Sequence, residues 1–416
     1  MTPARVRPAR GPRPGGPRSA ATASGLAAAG LAAVVALAGC GGPADEVAAP
    51  PPPGTSVPGT TSVPTSTPRS SPPAPAPPGV TPAPWCSVDR AVRELPDRRK
   101  VAQLLTVGVA SVDDARWAVH EQGVGGVFVG SDAVTRLLGP RAIDSVVAGA
   151  DLPVTVAIDQ EGGRVDRLDV LEPQLPSPRE MARTMTPQQV TDLARDLGGR
   201  LRGYGVTVDF APSVDVSDQP DGAVIGDRSF SADPAVATTY GRAFAEGLLA
   251  AGVTPVYKHF PGHGHSSGDS HLGTVRVPPL DATRDLEPFR TLVGSPGVPV
   301  MVGHMQVPGL TGDTPASLSP AAYAALRDGH LGTPPYDGVV YTDDLSGMRA
   351  ITDSRPLPVA VLEALRAGAD SPLFISTAEL SAVLDTVTGA VGRGEYPRAQ
   401  LDASLRRVLV SRGCVT

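Results

Sequence analysis

Eight short apolar runs, most of them rich in Val, recur between residues 104 and 376: "LLTVGVA" from 104, "GGVFVG" from 125, "VTVAID" from 154, "VTVDFAP" from 206, "VTPVYKHF" from 253, "VPVMVGHM" from 298, "GVVYTDDL" from 338 and "SPLFIS" from 371. The runs are continuous rather than alternating in polarity, which is how strands buried on both faces read. Longer stretches of helical character separate them, among them "PQQVTDLARDLGGRLRGYG", "DPAVATTYGRAFAEGLLAAG" and "SPAAYAALRDGHLG". Strand–helix alternation repeated eight times predicts an α/β fold, a single (β/α)8 TIM-type barrel spanning residues 85–416. An open doubly wound sheet is the alternative, and the count of eight favours the barrel.

Upstream the pattern changes. Residues 1–39 carry Arg5, Arg7, Arg10, Arg13 and Arg18, no acid, and then an Ala-rich apolar run ending in "LAGC". A basic region, an apolar core and small residues before a break make a secretory signal peptide. A membrane-spanning anchor would need a longer run. "LAGC" resembles a bacterial lipobox, which implies cleavage before Cys40 and a lipid on its thiol. The product would be tethered to the membrane, on its extracytoplasmic face. Residues 40–84 read as the lipidated cysteine followed by a disordered linker. Fifteen of the residues from 41 to 84 are Pro, and such a segment has too little apolar surface to fold. As polyproline II it would span roughly 130 Å.

Cys86 and Cys414 lie at the two ends of the predicted barrel domain. Outside the cytoplasm such a pair is expected to be oxidised, and the bridge would be worth on the order of 4–5 kcal/mol. Two free thiols are the alternative. The formal net charge is −6, and removing the five leader arginines takes it to about −11. A nucleic-acid partner is not expected at that charge.

Ionisable residues collect at the carboxyl ends of five predicted strands: Asp159, Asp209, Lys258 with His259, His304, and Asp343 with Asp344. Barrel active sites lie at that end, and converging charges are costly to bury for structure alone. Only two lysines, Lys100 and Lys258, stand against 34 arginines, so position 258 points to a need for a compact ammonium. The segment "KHFPGHGHSSGDSH" holds four of the seven histidines. His259, His263, His265 and His271 lack the helical spacing of a metal motif, and Lys258 would repel a cation, so no metal is expected. Asp269 and His271 stand at i and i+2, where an extended loop points them the same way. That is the logic of an Asp–His dyad, in which the carboxylate fixes the tautomer and the imidazole moves protons. Asp343 is the candidate nucleophile, with Asp344 competing for the role. Gly262, Gly264 and Gly268 would give this loop freedom to move.

Together "AIDQEGGRVDRL", "IGDRSF", "KHFPGHG…DSH" and "VVYTDDL" resemble family 3 glycoside hydrolases, specifically the single-domain β-N-acetylglucosaminidases, in order and spacing from about 100 to 375. The resemblance implies a barrel, Asp343 as the nucleophile of a glycosyl-enzyme intermediate, and His271 as acid/base oriented by Asp269. It implies that Asp159, Arg164, Arg228, Lys258 and His259 bind the terminal sugar, and that configuration is retained. It implies no cofactor. The chain departs from the family pattern at "GHSS" (264–267), leaving His265 without a role, and at Gly347, where relatives often place Met. His304 falls either at the pocket wall or in the core.

The expected protein is therefore an extracytoplasmic, lipid-anchored exo-hydrolase. It would remove terminal β-linked N-acetylglucosamine from saccharides or muropeptides, near the cell wall. Three competitors are a phosphorolytic β-N-acetylglucosaminide phosphorylase, a non-catalytic sugar-binding lipoprotein and a metal-dependent hydrolase.

Overall fold

The computed structural model describes residues 83–280 and 284–416. The signal peptide, Cys40 and nearly all of the linker lie outside the described residues. The predicted runs become eight parallel strands: β1 (Thr106–Gly108), β2 (Gly126–Phe128), β3 (Thr155–Ile158), β4 (Val208–Asp209), β5 (Thr254–Pro255 continued by Tyr257–Phe260), β6 (Val300–Val302), β7 (Val340–Asp344) and β8 (Ser371–Phe374). The first half of β5 pairs with β4 and the second half with β6. At the switch between neighbours, the Val256 N–H donates to Ala211 and the Tyr257 N–H to Pro299. β8 pairs with β1 through Leu373–Thr106 and Phe374–Val107, which closes the circuit. The fold is thus a (β/α)8 barrel.

Phe128 from β2, Phe210 just after β4 and Tyr341 from β7 pack as a chain, with ring centroids 5.9 and 5.1 Å apart. Strands so far apart in the circuit meet only through the interior, so these rings fill the barrel. The outer helices follow the apolar pattern. Pro187–Gly203 starts at a capping box between Thr186 and Gln189 and buries Val190, Ala194, Leu197 and Leu201 on one face. Pro234–Ala250, capped by Asp233, buries Ala237, Phe244, Ala245 and Leu248. Burying each Val, Leu or Phe of these faces stabilises the fold by about 1.5–3 kcal/mol. Among the described residues no helix is long and apolar enough to cross a membrane.

The chain ends meet on the outside. Strand Ala83–Ser87 runs parallel to Cys414–Val415, and Cys86 and Cys414 are joined by a disulfide with Cα atoms 4.8 Å apart. Two connections at the carboxyl ends of the strands are elaborated. After β3 comes a hairpin, Gln160–Gly162 against Val165–Asp166. After β5, residues 261–286 separate the strand from a short helix, Glu287–Leu292.

Candidate active site

The β3 hairpin brings an acid and two arginines to the mouth. The Gln160 side chain staples the return strand. Its Nε2 donates to Asp166, and its Oε1 accepts from the Arg167 and Leu168 N–H groups. Arg167 is thereby folded back towards Asp159, Nη2 to Oδ2 3.7 Å. Arg164, at the hairpin tip, faces the other way. Its guanidinium donates to the carbonyls of Asp221, Ala223, Val224 and Ile225. The expectation that Arg164 binds the sugar is therefore corrected. Arg164 is consumed in holding the loop after β4, and the hairpin arginine that reaches the cavity is Arg167, three residues on.

Lys258 is buried and shared between Asp159 Oδ1 at 2.8 Å and Glu161 Oε1 at 2.7 Å. Burial alone would lower its pKa, but Asp159 and Glu161 outweigh burial and raise it. Arg228 grips Glu161 with two bonds, from Nε at 2.8 Å and Nη2 at 2.7 Å. Arg228, Glu161, Lys258, Asp159 and Arg167 thus alternate in sign along one wall. Each buried charge has a bonded partner, which offsets its desolvation. Glu161 has no solvent-exposed side chain and was not singled out from sequence, although it stands inside the "DQEGG" motif.

A second carboxylate missed from sequence organises the loop after β5. Asp215, fully buried, accepts from the backbone N–H groups of His259 and His263, from Ser213 Oγ, and from His259 Nδ1 at 2.6 Å. Burial raises its pKa, yet His259, then His263, bring it down to about 2. With Nδ1 held by Asp215, the Nε2 of His259 faces Asp343 Oδ2 at 3.9 Å. His263 also lines the cavity, and burial lowers its pKa to about 4, leaving it neutral at physiological pH. Gly264 is required where it stands, because a Cβ there would lie 1.6 Å from the Val216 carbonyl oxygen. Only glycine lets this loop approach the backbone after β4 so closely.

Asp343 and Asp344 end β7 and have different fates. Asp344 closes the following turn. Its Oδ1 accepts from the Ser346 N–H and hydroxyl and its Oδ2 from the Gly347 N–H. Among the described residues Asp343 accepts only the Asp344 N–H, and it lines both cavities at the mouth. Burial raises its pKa, but His259, His304 and Lys258 hold it at about 2, so it is a carboxylate at neutral pH. His304 is buried and not at the wall. Its Nε2–H donates to the Asp344 carbonyl and its Nδ1 accepts from Ser317 Oγ, both at 2.7 Å. Asp209 also lies away from the cavities. Its Oδ1 accepts the Gln160 N–H and its Oδ2 has no partner among the described residues. Burial drives its pKa well up.

Asp269 and His271 sit on a flap closed at its base by Ser267 and Arg276, which exchange backbone and side-chain bonds. The Asp269 carboxylate is 2.8 Å from His271 Nδ1, and it also accepts the His271 N–H. Burial raises the pKa of Asp269, and these two bonds lower it overall. The flap is docked on the loop after β7, where the Ala350 N–H donates to the Ser270 carbonyl and Ser270 Oγ meets Met348 Sδ. His271 therefore stands on the walls of the same two cavities as Asp343: an inner one of about 140 Å³ and an outer one of about 560 Å³. Among the sequence-predicted residues, Asp159, Arg228, Lys258, His259, His271 and Asp343 converge on the inner cavity. His265 instead pairs with Asp285, 2.6 Å away, at the foot of the flap. Among the described residues no three His, Cys, Asp or Glu side chains are arranged to hold a metal ion.

The family described as "Glycosyl hydrolase family 3 N terminal domain" matches residues 97–410. The β-hexosaminidase LpqI of Mycobacterium tuberculosis is 52% identical over 323 residues, 77% of this chain and 83% of that protein. The crystal structure of a family 3 glycosyl hydrolase from Mycobacterium smegmatis is similar with a TM-score of 0.77 and 53% identity, covering 78% of this chain and 99% of that one. A family 3 β-N-acetylglucosaminidase from Paenibacillus sp. is similar with a TM-score of 0.71 and 32% identity, covering 76% of this chain and 62% of that one.

Proposed function

The chain belongs to glycosyl hydrolase family 3 and is a glycoside hydrolase, and we propose that it is a retaining exo-β-N-acetylglucosaminidase acting through Asp343, His271 and Asp269. The observation that carries this is the pairing of an ionised, uncommitted Asp343 with a carboxylate-held imidazole on the walls of one cavity. The relatives named β-hexosaminidase and β-N-acetylglucosaminidase support the N-acetylglucosaminide as substrate.

Asp343 attacks the anomeric carbon as the glycosidic bond breaks, and His271 Nε2 delivers its proton to the departing oxygen. Nδ1–H remains bonded to Asp269, which stabilises the imidazolium before transfer and fixes the tautomer after it. In the second step water loses a proton to His271 Nε2 and its oxygen bonds to the anomeric carbon, releasing the Asp343 carboxylate. His259, between Asp215 and Asp343, keeps the nucleophile ionised. Lys258, Arg228, Asp159 and Arg167 supply the donors and acceptors for sugar hydroxyls on the inner side.

A peptidoglycan-derived substrate and an extracytoplasmic location on a lipid anchor at Cys40 complete the proposal. They are supported by the basic and apolar leader, the "LAGC" motif and the Pro-rich linker. The deciding experiment is turnover of a chromogenic N-acetylglucosaminide against the matching glucoside, for the wild type and Asp343→Ala, with and without EDTA. The proposal expects turnover of the first substrate only, abolished by Asp343→Ala and unchanged by EDTA. Glucoside turnover at equal rate, or full activity in Asp343→Ala, would overturn it.

A further inference from the structure

The segment "GHSS" leaves one histidine outside the reaction scheme, His265. Its partner, Asp285, lies past the flap, just before the helix Glu287–Leu292, and is 1% exposed. Asp285 Oδ1 is 2.6 Å from His265 Nδ1. A carboxyl group so deeply buried needs a bonded donor. Burial raises the Asp285 pKa, and the bond from His265 is the first influence that opposes the rise. The residue is also packed on the backbone of the same loop, since a Cβ on Gly262 would lie 2.5 Å from the Asp285 Cβ. Two buried aspartates from separate connections therefore hold residues 259–265. Asp215 takes His259 and the His263 N–H, and Asp285 takes His265.

The flap rises from this point on two limbs. The returning limb is tied to the loop after β6. Gln306 exchanges backbone bonds with Val275 and Val277, and the Arg276 guanidinium reaches Gln306 and Asp313. The outgoing limb is a run of local bonds. The Ser266 N–H donates to the His263 carbonyl, Ser266 Oγ to the Gly268 carbonyl, and the Ser267 N–H to the Arg276 carbonyl. Asp269 and His271 follow directly. Among the described residues, two side-chain bonds join residues 265–268 to groups outside the flap. One is His265 to Asp285, and the other is Gln219 Nε2 to the Ser266 carbonyl, longer at 3.4 Å.

We propose that His265 and Asp285 are positioning residues for the acid/base, their pair fixing the foot of the outgoing limb so that His271 Nε2 stands at the departing oxygen. This rests on the reading of His271 given above. Neither residue lines the two cavities, so both act through the limb 265–271. A misplacement of about 1 Å can cost on the order of a hundredfold in rate. Asp343 is carried separately, at the end of β7, so a loosened foot impairs proton transfer and spares the nucleophile. The effect therefore depends on the leaving group. An oxygen of low pKa departs as the anion without help, and one of high pKa needs the proton.

The test compares kcat/KM for a dinitrophenyl and an unsubstituted phenyl N-acetylglucosaminide. In His265→Ala the phenyl substrate is expected to lose about tenfold or more and the dinitrophenyl substrate less than about threefold. His265→Asn, whose amide nitrogen can take the place of Nδ1 as donor to Asp285, is expected to return the ratio of the two substrates to near the wild-type value. That ratio is read within one preparation and is independent of the fraction folded. The double variant His265→Ala, Asp285→Ala leaves no buried carboxylate unpaired; it is expected to shift the ratio as His265→Ala does, and it serves if the single variant does not fold. Equal losses on both substrates, an unmoved ratio in the alanine variants, or a ratio that His265→Asn fails to restore would overturn the inference. The reading on which it rests fails separately, if His271→Ala itself leaves the ratio at the wild-type value.

Discussion

Replacing Asp215 by Asn removes one charge and almost no volume from beneath the site. In the wild type the Asp215 carboxyl is held at about 2, against 3.8 for a free aspartate. At about 1.36 kcal/mol per unit, that difference is worth about 2–3 kcal/mol of stability at neutral pH. The sign follows from linkage. A depressed carboxyl stabilises the fold above its unfolded pKa, and the contribution is lost as pH falls from about 4 towards 2. Urea unfolding should therefore show Asp215→Asn less stable by about 2–3 kcal/mol at pH 7, with the gap to wild type narrowing below about pH 4. A kinetic effect accompanies it. The Asn amide facing His259 Nδ1 takes away the carboxylate that holds this ring towards Asp343. His259 is the first of the groups that lower the Asp343 pKa, so that pKa rises in the variant. Because Asp343 must be ionised to attack, the acid limb of kcat/KM moves to higher pH. A stability gap that is the same at pH 3 and pH 7, together with an unmoved acid limb, would refute the role given to this carboxylate.

Arg167→Ala should raise KM about tenfold or more for the N-acetylglucosaminide with a modest change in thermal stability, since the residue lies at the cavity. Arg164→Ala should do the reverse, lowering the melting temperature by releasing the 221–225 loop; equal KM effects in both would contradict the reassignment. Cys86→Ser opens a bridge between residues 328 apart and should cost on the order of 4–5 kcal/mol in denaturant unfolding. Its active-site kinetics at low temperature should be unchanged, because the bridge lies outside the barrel mouth. Reduction by dithiothreitol should reproduce the loss in the wild type and not in the variant.

The barrel was legible because its strands are buried on both faces and so appear as unbroken apolar runs. Even β5, split at Val256, kept its pattern. Asp159, Lys258, His259 and Asp343 were legible for the same reason, each standing where an apolar run ends and the mouth begins. The dyad was legible because both members lie two residues apart in one loop. Asp215 was not, since it lies six residues past the end of β4 in "SVDVSD", and its partners come from another strand's loop. The choice between Arg164 and Arg167 was hidden because both follow the same strand. A hairpin turn decides which one folds back, and that turn is set by the Gln160 amide. The fates of Asp343 and Asp344 were likewise undecidable from adjacent letters. What separates them is the turn at Ser346 and Gly347, which claims both carboxylate oxygens of Asp344 and leaves only Asp343 to the inner cavity.

The covalent step can be examined directly by inactivating the enzyme with a 5-fluoro N-acetylglucosaminyl fluoride and mapping the adduct by peptide mass spectrometry. The account predicts one sugar per chain, esterified to Asp343, and no adduct in Asp343→Ala. A sugar carried by Asp344 or by any other residue, or inactivation that proceeds unchanged in Asp343→Ala, would contradict it.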